Sequence, residues 1–362
     1  MMNVDFGWFL PTMGDSELIG PPDREATLDY LVDVARAAED AGFGFALVPV
    51  GNTCQDAWLA SAVVAGRTEK LKFLVAMRPG FVAPTLAAKM SNTFDQLTHG
   101  RVLINVVTGG YPAELAADGD FTDHDERYAR TQEFMQLVRK AWTERKRWDF
   151  EGRYYKVEGG NVYPRPFQQP HPPFYFGGAS EAGRQVGAEE ADVYLLWGET
   201  LSMVEERIAD MRQRAAAIGR TLRFGMRIHV VVRETEEEAW AAADALIANI
   251  PEEFLDRMGK ITNATDSEGE RRQQKMRKES GNGKEELVLA PNLWAGISKA
   301  RVGVGTALVG SGENIAARLR EYVDLGIDTF ILSGYAHLEE AQRFGRYVMP
   351  HFRTQAVETA RA

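Results

Sequence analysis

The sequence predicts an α/β fold, a closed (β/α)8 TIM barrel of parallel strands ringed by helices, with insertions. About eight short β-type runs recur along the 362 residues, and each leads into helical or loop sequence, as such a barrel requires. An open sheet that binds a dinucleotide has a glycine fingerprint after its first strand, and residues 10–15 (LPTMGD) have none. A barrel commonly fills this length alone, so we predict a single domain over residues 1–362.

Apolar spacing and turn residues justify the individual elements. In the first helix Leu28, Leu31 and Ala35 share one face. Gly42 ends that helix, and Gly326 ends a later helix of the same design. The runs predicted as strands are residues 4–10, 44–50, 71–77, 102–107, 173–176, 191–197, 223–232 and 327–333.

Two segments interrupt the alternation of strands and helices. Residues 147–169 carry aromatic and β-branched residues around a glycine, which predicts a small β insertion. Residues 262–286 are polar, with almost no apolar side chains, and fit either a solvated, partly disordered loop or a mobile lid. As a lid, the segment would close over an anion with the basic residues of its middle, Arg271, Arg272, Lys275, Arg277 and Lys278.

Composition narrows the function classes. A formal net charge of −10 leaves no basic stripe for nucleic acid, so an anionic substrate would need a local positive pocket. One cysteine excludes an intramolecular disulfide, and no apolar run approaches the roughly 18–20 residues that cross a bilayer. The N-terminus lacks the basic region of a signal peptide, so we expect a cytoplasmic protein. No His, Cys or carboxylate cluster has metal-ligand spacing, and no metal site is predicted.

Charged residues fall at predicted strand ends, which is where parallel barrels carry out chemistry. Arg227 and His229 are two positions apart on one strand, so their side chains share a face. The arginine would favour the neutral form of the histidine, which suits a general base. Arg301 follows the long polar segment and Tyr335 follows the last strand. Together the four residues predict a site that handles an anion.

Several other motifs allow two interpretations. Residues 176–180 (FGGAS) could bind a phosphate through free backbone N–H groups, or form a plain turn with Ser180 as the helix N-cap. Cys54 would need a paired histidine to act as a nucleophile, and a role in lining the pocket is the preferred interpretation. Trp8, Trp197 and Tyr335 could pack in the core or form a flat-walled pocket for a planar cofactor. Residues 303–310 lack the spacing of a nucleotide loop.

Ordered motifs over nearly the whole chain match one family. They are WFLPT (8–12), CQDAW (54–58), KFLVAMRP (72–79), NVVTG (105–109), HDERY (124–128), YFGG (175–178), WGE (197–199), RIHV (227–230), PNLWAG (291–296), GTALVG (305–310) and LSGY (332–335). The chain thereby resembles the reduced-flavin-dependent alkanesulfonate monooxygenases of the bacterial-luciferase-like superfamily.

This resemblance implies a luciferase-like barrel acting as a two-component monooxygenase. A separate NAD(P)H-dependent flavin reductase would supply reduced FMN (FMNH2), O2 would be the co-substrate, and C–S cleavage of an organosulfonate would give an aldehyde and sulfite. A homodimer or a dimer of dimers is expected. The expected catalytic residues are Arg227, His229, Arg301 and Tyr335; the substrate residues are Trp8, Met13, Asn52, Cys54, Gln55, Trp197, Arg227 and Arg301; and the flavin residues are Asn105, Thr108, Tyr128, Gly178, Ala179 and Ser180.

Two departures from the family pattern concern the substrate. The small-alkanesulfonate members of the family usually read Thr-His-Gly-Asp where this chain has Met13 in second place. They usually read Gly-Arg-Ser-Cys-Glu where it has Asn52 and Gln55 around the cysteine. Amides hydrogen-bond hydroxyls well, so we expect a polyhydroxylated organosulfonate, with sulfoquinovose the best single candidate. The alternatives are a small alkanesulfonate, a deazaflavin-dependent reductase of the same superfamily, or a non-catalytic flavin-binding barrel.

Overall fold

Eight parallel strands close into a barrel in the computed structural model, which describes residues 4–281, 286–299, 301 and 303–352. The strands are β1 (Asp5–Phe9), β2 (Phe45–Val48), β3 (Lys72–Met77), β4 (Val102–Val106), β5 (Trp148–Glu151), β6 (Lys156–Gly160), β7 (Phe174–Phe176), β8 (Val193–Trp197), β9 (Arg223–Arg233), β10 (Val288–Ala290), β11 (Leu293–Trp294), β12 (Ala307–Ser311) and β13 (Ile327–Ser333).

The ring runs β1, β2, β3, β4, β7, β8, β9 and β13, and it closes because β13 pairs with β1. These eight strands are the eight runs predicted as strands, so the (β/α)8 barrel is confirmed. Alternation divides their side chains between the lumen and the helix layer. Phe9, Leu74 and Tyr175 belong to the apolar lumen cluster, whereas Trp8 packs outward on Phe43.

Twelve helices in the described part of the chain surround and cap the barrel. The first begins with a hydrogen bond from the backbone N–H of Tyr30 to the Thr27 side chain and ends at Gly42, which has a φ of 94°. In that helix Leu31 and Ala35 are buried, and Leu28 stays 38% exposed. No helix among the described residues is long and apolar enough to span a membrane. The helices are α1 (Leu28–Ala41), α2 (Ala57–Ala65), α3 (Pro84–Leu97), α4 (Pro112–Ala117), α5 (His124–Thr143), α6 (Glu181–Glu190), α7 (Leu201–Ala217), α8 (Glu236–Ala248), α9 (Glu252–Asn263), α10 (Glu268–Ser280), α11 (Gly312–Leu325) and α12 (His337–Tyr347).

Strands outside the ring extend the sheet at one place and form a separate hairpin at another. β12 runs parallel to the end of β9, with Ala307 opposite His229, and the short pair β10–β11 follows beside it. No strand was predicted at β12. Its position brings the preceding loop, which carries Arg301, over the end of β9. β5 and β6 pair antiparallel within residues 147–169.

The polar segment 262–286 is mainly helical and not a solvated loop. It contains the end of α9 and all of α10, and its residues 282–285 lie outside the described part of the chain. Ser267 caps α10, and acidic residues in the first turn with basic residues in the last suit the helix dipole. The buried face consists of Glu270, Gln273 and Met276, at every third position. Sequence reasoning missed this helix because two of its three buried side chains are polar.

Three basic residues of α10 lie in different environments, and the mobile lid stays a prediction. Arg272 forms a bidentate pair with Glu199, with distances of 2.9 and 2.7 Å. Arg271 donates to the carbonyl oxygen of Thr265, and Lys275 is exposed. Long cationic side chains such as those of Arg271 and Lys275 can remain hydrated at the helix surface, while the shorter polar side chains of Glu270 and Gln273 are buried.

Candidate active site

Two arginine side chains lie over the same phenyl ring at the carboxyl end of the barrel. Arg227 faces the lumen because its neighbours on β9, Met226 and Ile228, belong to the outer core. Its guanidinium carbon lies 5.0 Å from the centre of the Phe9 ring. The guanidinium carbon of Arg301 lies 5.7 Å from the centre of the same ring. The fold therefore brings together two arginines from distant segments.

No carboxylate pairs with Arg227 or Arg301 among the residues that the structure describes. Arg227 donates to the carbonyl oxygens of Ile228 (3.3 Å) and Ile331 (3.4 Å), and Arg301 donates to the Tyr335 hydroxyl (3.4 Å). Burial, reinforced by the charge of Arg301, lowers the pKa of Arg227 to about 9. Arg227 therefore stays charged at neutral pH. A buried guanidinium beside a half-buried one, with no carboxylate paired to either in the described part of the chain, suits the binding of an anion.

His229 lies next to this pair and is neutral at physiological pH. It is 1% exposed, and its Nδ1 lies 2.6 Å from the Ser333 hydroxyl oxygen. Burial, followed by the charges of Arg227 and Arg301, lowers its pKa well below the ordinary value. Its ring stacks on that of Tyr335 at 6.3 Å. A neutral imidazole can accept a proton from a bound molecule, and the role of His229 as a general base stays a prediction.

His337, a buried histidine that the sequence did not single out, also reaches the site. Its ring centre lies 5.4 Å from that of Phe9 and 5.8 Å from that of Tyr335. Nδ1 lies 2.7 Å from an oxygen of Asp15, whose carboxylate also accepts from the hydroxyl of Tyr30. This contact holds the proton on Nδ1, and Nε2 is buried without a hydrogen-bond partner in the described chain. The sequence signal that could have identified His337 is its position two residues after Tyr335, which was itself predicted as a site residue.

Trp8 lies outside the site, which corrects its prediction as a substrate residue. It is 1% exposed, packs on Phe43 of the helix layer, and donates its indole N–H to the carbonyl oxygen of His337. Because side chains alternate along β1, the next residue, Phe9, faces the lumen instead. Trp197 lies at the mouth, where its ring is near Gly269 of α10.

Asn52 and Gln55 are exposed, and both amide nitrogens already have backbone partners. Asn52 donates to the carbonyl oxygen of Glu114 at 3.4 Å, and Gln55 donates to that of Ala26 at 2.7 Å. Met13, in contrast, is partly buried against the apolar lumen cluster.

Cys54 is half-buried near the arginines with a protonated thiol. Burial raises its pKa, and the smaller effects of Thr12 and Arg301 do not reverse this. The carboxylate of Glu114 also raises its pKa. A thiol of this kind lines a pocket and is a poor nucleophile. No group of three or more His, Cys, Asp or Glu residues in the described ranges could hold a metal ion.

A second cluster of predicted residues surrounds the turn after β7. Tyr128 is 8% exposed and packs on Phe176, next to Gly178. A Cβ on Gly178 would lie only 2.9 Å from the Cα of Gly183, so glycine is needed for this close packing. Ser180 caps α6 through a 3.2 Å hydrogen bond from the Gly183 N–H. Hydroxyl groups beside a helix N-terminus fit a phosphate group.

The other predicted flavin residues occupy different environments. Ala179 lies in the same turn, and its carbonyl oxygen accepts from Arg207 at 3.0 Å. Asn105 alternates with outward residues on β4 and faces the lumen, half-buried. Thr108 is buried, and its hydroxyl lies 3.2 Å from that of Thr131 on α5. Its side chain therefore faces the helix layer.

Comparison with known proteins supports this architecture. The family model described as luciferase-like monooxygenase matches residues 4–329. A riboflavin lyase, solved with modified FMN and riboflavin, is 23% identical with a TM-score of 0.80, and the match covers 98% of this chain and 92% of that one. The EDTA monooxygenase of Chelativorans sp. BNC1 is 17% identical with a TM-score of 0.78, covering 98% and 94%.

A third similar structure uses another cofactor. The coenzyme F420-dependent tetrahydromethanopterin reductase of Methanopyrus kandleri is 18% identical with a TM-score of 0.68, and the match covers 97% of this chain and 99% of that one. Identities this low establish the shared fold alone.

Proposed function

The chain belongs to the luciferase-like monooxygenase family, and we propose that it is a two-component monooxygenase that cleaves the C–S bond of an organosulfonate with O2 and reduced FMN. One observation carries this proposal: Arg227 and Arg301 converge on Phe9, and neither has a carboxylate partner among the described residues. A sulfonate stays ionised at all relevant pH values and offers three oxygens to these donors. An organosulfonate therefore suits both the charge and the apolar lining.

We assign each residue a role in this reaction. Arg227 and Arg301 hold the sulfonate, and the Tyr335 hydroxyl beside Arg301 adds a donor. His229, neutral at pH 7, removes the proton from the carbon that bears the sulfonate. Ser333 orients the imidazole of His229 through Nδ1. His337, held by Asp15, can exchange a proton with the departing group.

The turn after β7 is the proposed site of the flavin phosphate. Tyr128 and Ser180 present hydroxyl groups there, and the N-terminus of α6 adds its positive dipole. Asn105 faces the lumen from β4, the strand next to β7, and we propose that it contacts the isoalloxazine ring. When bound, reduced FMN supplies two electrons for the reduction of O2. Helix α10 over the mouth limits the access of water.

The residues that suggested a sulfosugar differ in their surroundings. Asn52 and Gln55 are exposed, and the amide nitrogen of each already donates to a backbone carbonyl, which weakens the argument that they select a polyhydroxylated substrate. Met13 remains, and it favours apolar contact. We therefore propose the class of organosulfonates, and sulfoquinovose becomes one member of the test panel along with short and long alkanesulfonates.

We also propose that a second copy of the chain covers α2. This helix (AWLASAVVA) has no charged residue, and it exposes Leu59 (71%) and Val63 (53%). On neighbouring α3, Leu86 is 50% exposed. Exposed apolar side chains on two neighbouring helices are typical of an interface. Replacing both Leu59 and Val63 by glutamate should convert a dimer to a monomer in sedimentation velocity, and an unchanged mass would contradict this proposal.

Sulfite release tests the main proposal. The protein would be mixed with FMN, a flavin reductase, NADH and each sulfonate, in air and under anaerobic conditions, and sulfite and aldehyde would be measured. We expect equal amounts of the two products in air and none without O2. Oxygen-independent turnover with reduced F420 would instead indicate the deazaflavin reductase, an alternative that the reductase of similar fold keeps open. Flavin binding without any turnover would indicate a non-catalytic barrel.

A further inference from the structure

The loop that carries Arg301 is held by helix α10 and not by the barrel alone. The backbone N–H of Gly303 donates to a carboxylate oxygen of Glu270 at 2.8 Å. The N–H of Gly305 donates to the side-chain oxygen of Gln273 at 3.2 Å. Two side chains on one face of α10 thus accept from the main chain just after Arg301, which fixes where that arginine can reach.

Both side chains are also attached to the barrel mouth. The hydroxyl of Tyr111, which follows β4, donates to the same Glu270 oxygen at 3.0 Å. The Gln273 amide donates to the carbonyl oxygen of Gly198, after β8, at 3.0 Å. The bidentate pair of Arg272 with Glu199, the residue after Gly198, attaches the helix at the same place. Helix α10 therefore bridges the ends of β4 and β8 to the Arg301 loop.

Glu270 is buried at a cost in folding free energy, which suggests that the residue has a function. The residue is 3% exposed, and the partners that the structure gives it are neutral donors. Burial raises its pKa above the ordinary value. A carboxylate held this way costs free energy that an apolar residue would not. Such a cost is typical of functional positions.

We propose that Glu270 and Gln273 are positioning residues that place the Arg301 guanidinium over Phe9 and beside Tyr335, so that docking of α10 completes the anion site. The inference rests on the proposed role of Arg301 in binding the sulfonate. Linkage then requires the reciprocal effect: an anion bound to Arg301 stabilises the docked position of α10 by the same factor. Neither residue touches the substrate.

The experiment compares Glu270→Ala and Gln273→Ala with wild type and with Glu268→Ala, an exposed residue on the first turn of the same helix. Calorimetry with methanesulfonate and with inorganic sulfite gives the anion affinity, and FMN titration gives the flavin affinity. We expect each test variant to bind the anions about 10- to 100-fold more weakly, within the usual range of such coupling, with flavin affinity unchanged. Glu268→Ala should match wild type.

Two further measurements separate positioning from general damage. In the Arg301→Ala background, Glu270→Ala should have no additional effect on the sulfonate KM, because it acts through Arg301. Trypsin cleaves after exposed Arg271, Lys275 and Lys278 of α10, and the anion should slow this cleavage in wild type but not in Glu270→Ala.

The outcomes are distinguishable. If wild type binds an anion and both variants bind it equally well, or if the effects of Glu270→Ala and Arg301→Ala are additive, the positioning role is wrong and the anion site stands. If wild type binds neither anion, the anion site itself fails, and this inference fails with it.

Discussion

Replacing Arg227 by methionine should make the ligand-free protein more stable, although it removes the anion site. Methionine keeps the length of the side chain and removes the charge. Lowering the pKa from 12.5 to about 9 means that the charged form is disfavoured in the fold by about 5 kcal/mol. Below pH 9 Arg227 is charged in both the folded and the unfolded chain, so this cost is fully present at pH 7 and is relieved only as pH rises through 9.

Lost contacts offset part of the gain. The cation–π contact of Arg227 with the Phe9 ring contributes about 1–2 kcal/mol to folding stability. Its two long hydrogen bonds to carbonyl oxygens contribute about 1 kcal/mol together. A net gain of roughly 2–3 kcal/mol remains. The unfolding entropy of a 362-residue chain is about 0.8 kcal/mol/K at ~2.1 cal/mol/K per residue, so Tm should rise by about 3 °C.

Differential scanning fluorimetry with and without methanesulfonate measures both effects. At about 100 times Kd the anion should stabilise wild type by about 2.7 kcal/mol, or roughly 3 °C, and should leave Arg227→Met unchanged. Arg223→Met is the matched control, since Arg223 lies on the same face of β9 but pairs with Asp328 and is half exposed. The control variant should lose at most about 1 kcal/mol of folding stability, and the anion should still raise its Tm.

The reasoning is refuted if Arg227→Met melts below wild type and still responds to the anion. That result would mean that Arg227 is not an isolated buried charge and does not bind the ligand.

The remaining predictions concern pH, proton transfer, the thiol and the outer face of α10. Because the anion needs the charged form of Arg227, kcat/KM for the sulfonate should fall above pH 9, about tenfold per pH unit, and a flat profile to pH 10 would contradict this. His229→Ala should lower kcat by about 10²–10⁴ and leave anion affinity within about threefold; an unchanged kcat in steady-state assays would exclude it as the base. Cys54→Ser should keep kcat within about threefold because the thiol is protonated, whereas a loss above about 100-fold would indicate covalent catalysis. The double substitution Arg271→Ala and Lys275→Ala should leave the ratio of sulfite formed to NADH consumed unchanged, because both side chains are exposed. A fall in that ratio would support the hypothesis of a basic lid.

The barrel and the shared face of Arg227 and His229 could be predicted from sequence, because both follow from local periodicity. Eight β-type runs alternating with helices leave few architectures, and side chains two positions apart on a strand must point the same way. The candidate anion site was predictable to the same degree, since its two residues on β9 lie where barrels place their chemistry. Alternation could also separate Trp8 from Phe9, but it could not say which of them faces the lumen.

Tertiary structure decided the rest through contacts between residues far apart in the chain. Only the closed barrel shows that Phe9 receives both arginines, and that Asp15 meets His337 across 322 positions. Helix α10 escaped prediction because polar groups can be buried wherever partners exist, and those partners lie on other segments. Sequence periodicity records which side of an element is apolar; whether a polar side chain is buried or exposed depends on the donors and acceptors that the fold brings to it.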